Sequence, residues 1–216
     1  MALNINGTTG ISGVDGSVSA PALTGTDSNT GITFPAADTI KFSTGGVERM
    51  AITNSGVSGI TTGITMADQW RVTTNFDTAN ANMITSNWER NDTDFALIGS
   101  GMSESSGLFT FPETGIYKIE FSTKVTSSNQ QVRYIVNEII LSNNNFSSSH
   151  SGAFSSQSLS NDASADATGN CSCIFDVTNT STHKVKFTVY SEHVVTWSGS
   201  SISNATYATF IRLGDT

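Results

Sequence analysis

Charge is scarce in this sequence. Asp, Glu, Lys and Arg together make up 13% of 216 residues; ten are cationic and eighteen acidic, which leaves a formal net charge of -8 and a pI near 4.6. The cations never form a run, so nothing draws a phosphate backbone to the surface, and nucleic acid is not an expected partner. The same lack argues against docking on anionic lipid. No apolar stretch approaches the roughly 18 residues of a membrane span, so no membrane insertion is expected. The opening Met1-Ala2-Leu3-Asn4-Ile5-Asn6-Gly7 carries neither a basic nor a hydrophobic signal region, which points to synthesis and assembly in a cytosol.

Groups that carry chemistry are equally few. The two cysteines, Cys171 and Cys173, stand two apart and share one face of a strand; a bridge would distort extended backbone, and C-x-C lacks zinc spacing. They read as small buried thiols. Of three histidines, His150 lies in a Ser-rich segment, His183 in a polar turn and His193 after Glu192, and each reads as a surface residue. No nucleophile, base and orienting group converge, and no Gly-rich loop leads into a helix, so neither an enzyme nor a cofactor is expected. Glu89, Asp92 and Asp94 could be proposed as a glycan-cleaving pair or a calcium cluster. The segment 87–94 is more simply a polar loop anchored by Trp88.

What fills the space is Ser, Thr, Asn and Gly, with Val, Ile and Phe between them. The first three compete with a helical backbone through local hydrogen bonds, whereas Thr, Val, Ile and Phe suit a pleated, half-buried surface; the chain is expected to be all-β. Residues 1–66 hold no run able to form a globular core, yet short alternating pieces occur at 32–34, 39–43 and 47–53, with turns at Gly45-Gly46 and Asn54-Ser55-Gly56. Each is too short to bury its own apolar face. An ordered three-chain stalk is favoured over a free linker, because alternation is not the mark of a solvated tether.

From Asp68 on, nearly all the aromatic residues appear, and strands are expected at 70–74, 108–111, 116–125, 132–141, 171–177, 185–190 and 207–213. Tyr117, Ile119 and Phe121 alternate with Lys118 and Glu120; Val185, Phe187 and Val189 alternate with charged or polar neighbours. Many short antiparallel strands and no helix mean a sandwich or jelly roll. The stretches 147–160 and 161–170 read as one long exposed loop.

The segment Gly107-Leu108-Phe109-Thr110-Phe111-Pro112-Glu113-Thr114-Gly115-Ile116-Tyr117 resembles the signature of C1q/TNF-like heads, and Tyr207-Ala208-Thr209-Phe210-Ile211-Arg212-Leu213 is similar to that family's last strand. The resemblance covers about residues 68–216. It implies two packed antiparallel sheets in a tight homotrimer, with the strands near the chain ends close to the axis. The collagen-like stalk of animal members is absent, so immune or extracellular roles do not carry over. Two earlier stretches, 19–32 and 45–56, resemble repetitive modules of tail-fibre and other virion proteins of marine tailed phages, cyanophages especially.

Together these likenesses imply a virion fibre or knob, with a virion-attachment segment at 1–20, a β-rich trimeric stalk at 21–66 and a C1q-like jelly-roll head at 67–216. Its partners would be two further copies of itself, other virion proteins through the N-terminal segment, and a glycan or protein on the host surface. A capsid decoration or collar role without receptor binding stays open. For ligand contact the candidates are Trp197, which could stack on a sugar face, and Ser149 and His150 in the Ser-rich segment; for Trp197 packing at a sheet or trimer rim is the favoured alternative.

Overall fold

In a computed structural model, residues 4–6, 10–12, 15–60, 63–93, 95, 97–126, 131–160 and 165–216 are described, and among them every regular element is a strand. The chain divides into two compact units, Met1–Gly63 and Ile64–Thr216.

The front unit opens with the pair β1 (Asn4–Asn6) and β2 (Gly10–Ser12), then the pair β3 (Gly16–Ser17) and β4 (Ala20–Pro21). Five strands follow in sequence order as one antiparallel sheet: β5 (Leu23–Thr24), β6 (Gly31–Thr33), β7 (Ile40–Thr44), β8 (Val47–Thr53) and β9 (Gly56–Ser58). Gly45 and Gly46, at φ +59° and +73°, supply the two left-handed positions that a two-residue hairpin turn requires between β7 and β8. Parts of the segment 1–20, including Met1–Leu3, lie outside the described residues.

The second unit is a two-layer antiparallel sandwich. Its strands are β10 (Ala67–Val72), β11 (Phe76–Thr78), β12 (Asn82–Met83), β13 (Trp88–Arg90), β14 (Ser103–Ser105), β15 (Leu108–Thr110), β16 (Gly115–Thr126), β17 (Val132–Ser142), β18 (His150–Leu159), β19 (Asp166–Val177), β20 (Lys184–Ser191), β21 (Val195–Trp197) and β22 (Tyr207–Gly214). One sheet, here the terminal sheet because it holds the first and last strands of the unit, runs β13-β10-β22-β16. There β19 lies along the far side of β16, and β21 with β11 extends the near side beyond β22. The opposite sheet runs β14-β15-β20-β17-β18, with β12 also beside β20.

Alternation decides what lies between the layers. On β16 the inward set is Tyr117, Ile119, Phe121, Thr123 and Val125, all buried; on β20 it is Val185, Phe187 and Val189. Rings dominate the centre. Phe121 meets Phe187 at 4.7 Å between centroids, Phe109 meets Phe187 at 5.3 Å and Phe210 at 5.4 Å, and Trp88 and Trp70 approach Phe109 edge-on at 5.1 and 5.6 Å. Removing one such fully buried ring from water stabilises the fold by roughly 1.5–3 kcal/mol.

The segment 107–117 shows why its spacing matters. Phe109, Phe111 and Tyr117 are core side chains, and the Tyr117 hydroxyl donates to the Glu113 carbonyl at 2.9 Å across the turn. Burial pushes that phenol up to about 12. Gly107 sits at φ +81°, and a Cβ there would lie 2.2 Å from the Ile84 carbonyl oxygen. Gly115, at φ +149°, leaves room for the Arg212 guanidinium, whose Nε would be 2.5 Å from a Cβ. Only glycine satisfies both conditions at either place.

One expectation is overturned. The stretch read as a long loop from 147 contains β18, and β19 begins at Asp166, five residues before the strand expected at 171. Residues 161–164 fall outside the described set. β18 has little apolar surface of its own, but β17 offers it a backbone ladder from Val132↔Leu159 to Leu141↔His150. Pairing comes from the neighbour, and serines on an edge strand keep its outer face solvated.

Candidate functional site

The front sheet is apolar on its exposed side. Register places Leu23, Ile32, Phe42 and Met50 in one cross-strand row and Ile40, Ile52 and Val57 in the next. Alternation puts both rows on one face. Leu23, Ile40, Ile52 and Val57 are 45%, 37%, 39% and 57% exposed, whereas Thr33 and Ala51 on the reverse side are 1% and 2% exposed. A shallow hollow of about 470 Å³ opens beside Phe34, Ile40 and Ile52. In this sheet Thr33, Ser43 and Ala51 are covered, Ile32, Phe42 and Met50 are half-buried, and Leu23, Ile40, Ile52 and Val57 are exposed.

The terminal sheet of the head has a related outward face. Register aligns Ile98, Ala67, Ile211, Lys118 and Ile174 across five chain segments. Ile174 is 66% exposed and Leu213, at the bulge of β22, is 54% exposed. The next row, Gln69-Thr209-Glu120-Ser172, is polar, and the one after it brings Glu89, Arg71, Tyr207, Ser122 and Asn170 together. The first row is thus apolar at Ile98, Ile211 and Ile174, but the half-exposed Lys118 stands between Ile211 and Ile174.

Two buried ion clusters fix the edge of this sheet. Arg71, 1% exposed, donates to Glu89 at 3.0 Å, Asp92 at 2.7 Å, Asn91 Oδ1 at 3.2 Å and Thr93 Oγ1 at 3.1 Å. On the other face Asp68, fully buried, accepts from Arg90 Nε at 3.0 Å and Nη2 at 3.2 Å, Trp70 Nε1 at 2.9 Å and the Met102 amide at 2.7 Å. Each buried charge is thereby paired and hydrogen-bonded, the condition under which it can be tolerated. The carboxylates Glu89 and Asp92 thus serve Arg71; Asp94 lies outside the described residues. Among the described residues, no group of three or more His, Cys, Asp or Glu is arranged to hold a metal ion.

No protein-family model matches the chain. No curated protein matches it either. Solved structures do. Murine APRIL at pH 5.0 aligns over 68% of this chain and 98% of its own, with a TM-score of 0.51 and 11% identity, and at pH 8.5 the TM-score is 0.50 with 10% identity. Eiger TNF from S. frugiperda aligns over 71% of this chain and 96% of its own, with a TM-score of 0.55 and 11% identity.

The second unit has a jelly-roll fold like that of these TNF-type domains.

Within this TNF-like unit the candidate ligand residues do not come together. Trp197 is buried on β21, where its ring lies near-parallel to Phe76 at 6.4 Å. It is neither a sugar platform nor a rim residue but part of the core, because alternation turns Val195 and Trp197 inward. Ser149 and His150 are exposed, side by side in sequence, in and just before β18 of the opposite sheet. His183 corrects the surface reading: it is 8% exposed, lies 5.4 Å from the Phe175 ring, and its nitrogens face the Thr178 and Thr182 hydroxyls. Cys171 and Cys173 are free thiols, pushed by burial up to about 12 and about 11. The sequence reading passed over Arg71 and Asp68. Their signal was there: a chain with few charges places Asp68, Arg71, Glu89, Arg90 and Asp92 within two short segments.

Proposed function

We propose that this chain is a non-enzymatic display protein that works as a homotrimer, its front unit a three-chain stalk and its TNF-type head held outward for adhesion. The observation that carries the reading is the exposed apolar face of the front sheet: Leu23, Ile40, Ile52 and Val57 stand in water while Ala51 and Thr33 are covered. Burial of apolar area gains about 25 cal/mol per Å², so a face of this kind is stable when matched by copies of itself. Ile174 and Leu213 on the outward face of the second unit are exposed apolar residues as well, set around Lys118. Resemblance to phage fibre modules supports placing the assembly on a virion, attached through residues 1–20 and presenting the head to a host glycan or protein. Assembly of a virion component in the host cytoplasm fits the free thiols.

Sedimentation equilibrium tests the assembly. The expected mass is three times the 22.8 kDa of one chain, falling to a single chain in the double variant Ile40→Asp, Ile52→Asp, with near-unchanged circular dichroism. A monomer at micromolar concentration would sink the reading. Adsorption tests the placement: particles lacking the head should stay intact and lose attachment, whereas fragile particles with normal attachment would assign a stabilising role instead.

A further inference from the structure

One cleft in the head belongs to neither the apolar faces nor the ion clusters. It lies at the side of the sandwich, between β11 of the terminal sheet and the segment from β12 to Asn87, and encloses about 210 Å³. Its aromatic wall is Phe76, half-buried and held by Trp197 in near-parallel stacking at an interplanar angle of 14°. The tryptophan is thus the support, and the phenylalanine the surface a ligand would meet.

The polar lining is mostly uncommitted. One carboxylate oxygen of Asp77 accepts from Thr196 Oγ1 at 2.7 Å, and among the described residues the other has no hydrogen bond. Asn82 uses its amide nitrogen on Thr78 Oγ1 and the Ala79 carbonyl, and its oxygen accepts no hydrogen bond among the described residues. The side chains of Thr85, Ser86 and Asn87 make no hydrogen bond among the described residues, although all three line the cleft. Asn87 is nevertheless fixed in place: it sits at φ +64°, and the Thr73 amide donates to its carbonyl at 2.9 Å. No Lys, Arg or His lines the space, and its one charged group is Asp77.

We propose that this cleft binds a single neutral pyranose ring, as the terminal or branch residue of a surface glycan. An aromatic wall covers the apolar C–H face of a sugar, while the amide of Asn82 and the hydroxyl or amide groups of Thr85, Ser86 and Asn87 match its alternating hydroxyls; Asp77, turned with Thr196 to the other face of β11, supplies only negative charge at the rim. Asp77 with no cation beside it disfavours carboxylated, sulfated or phosphorylated sugars. The volume lies below the roughly 300–1,000 Å³ of pockets that enclose drug-sized ligands, so it suits one ring and not an oligosaccharide. The proposal rests on the adhesion half of the reading above and is independent of the trimer.

Saturation-transfer NMR on the full chain, with the methyl glycosides of glucose, galactose, mannose and N-acetylglucosamine and with methyl glucuronide as the anionic control, is the test. At least one neutral glycoside should receive saturation, with a Kd on the order of 1 mM, and the glucuronide none. Phe76→Leu should remove the signal. Asn87→Gly, which keeps the left-handed backbone, should weaken binding about fivefold or more at unchanged Tm. Silence from all four neutral glycosides, equal response from the glucuronide, or binding that survives both variants would each overturn the proposal. Loss of particle adsorption on head deletion does not depend on any of these results, so a failed cleft and a failed adhesion reading are told apart.

Discussion

Replacing Asp68 by asparagine isolates what a buried carboxylate does for the edge of the terminal sheet. The amide keeps the shape, and its oxygen can take the Oδ2 position, where the Met102 amide and Trp70 Nε1 converge at 2.7 and 2.9 Å. Its NH2 group then replaces Oδ1 and faces Arg90 Nε at the 3.0 Å now spanned by the ion pair, donor against donor. Breaking a buried pair costs about 3–5 kcal/mol. The Arg90 side chain is 37% exposed and can turn to water, although it also donates to the Met102 carbonyl. A loss of about 2–3 kcal/mol is therefore expected for Asp68→Asn, and about 4 kcal/mol for Asp68→Ala, which also strands the Met102 amide. For a unit of this size that is a fall in Tm of about 5–10 °C for the asparagine variant. Urea titration at fixed protein concentration, with unchanged m-value, measures it. An asparagine variant within about 0.5 kcal/mol of the parent would refute the reasoning, since the four donors would then be satisfied without the charge.

Other expectations follow from the same geometry. Glu192 is held at about 2 by the Arg133 side chain and amide; a depressed carboxylate contributes stability above its ordinary value near 4.5 and loses it as pH falls toward 2. The protection factor of amides at the start of β17, that is, exchange corrected for its intrinsic pH dependence, should accordingly fall through that window and stay level in Glu192→Gln; a Glu192 midpoint above 4 by NMR titration would contradict it. The thiols of Cys171 and Cys173 should resist a soluble alkylating agent at pH 8 in the native protein and react fully in denaturant; rapid native labelling would show the burial to be wrong. Gly107→Ala should cost about 3 kcal/mol or more by urea titration, since it meets both a left-handed backbone and the Ile84 carbonyl.

Which parts of this were legible depended on which physical signal carried them. Tyr117, Ile119 and Phe121 against Lys118 and Glu120 mark a half-buried strand without any partner being known, because alternation is a property of one segment. β18 gave no such signal: its ladder with β17 exists only once the two are side by side, and Ser155, Ser156 and Ser158 look like loop until then. Trp197 failed for the opposite reason. Its neighbours Ser198, Gly199 and Ser200 suggest a loop edge, but the strand immediately before them turns the ring inward, and one residue of register decides between core and surface. For the ion clusters the concentration of charge in two short segments was legible but the partners were not, since Arg71 finds Glu89 only through the pairing of β10 with β13.

The front sheet carries this lesson one step further. Sequence alternation correctly groups Ile40 with Phe42 and Met50 with Ile52, yet alternation alone says only that two faces differ, never which one is covered. In a sandwich the apolar face wins the interior because each sheet buries it against the other. Here the unit Met1–Gly63 has one sheet of five strands, and its covered side holds Thr33, Ser43 and Ala51. A single chain gains little by leaving branched residues in water and covering a threonine whose hydroxyl finds no partner among the described residues. In the proposed assembly, copies of the same face would cover the exposed rows and add stability that the single sheet lacks. The substitutions at Ile40 and Ile52 therefore probe the fold as well as the assembly: in an isolated chain two surface aspartates would be near-neutral for stability, whereas at a face shared by three copies they bury charge six times over and must separate the chains.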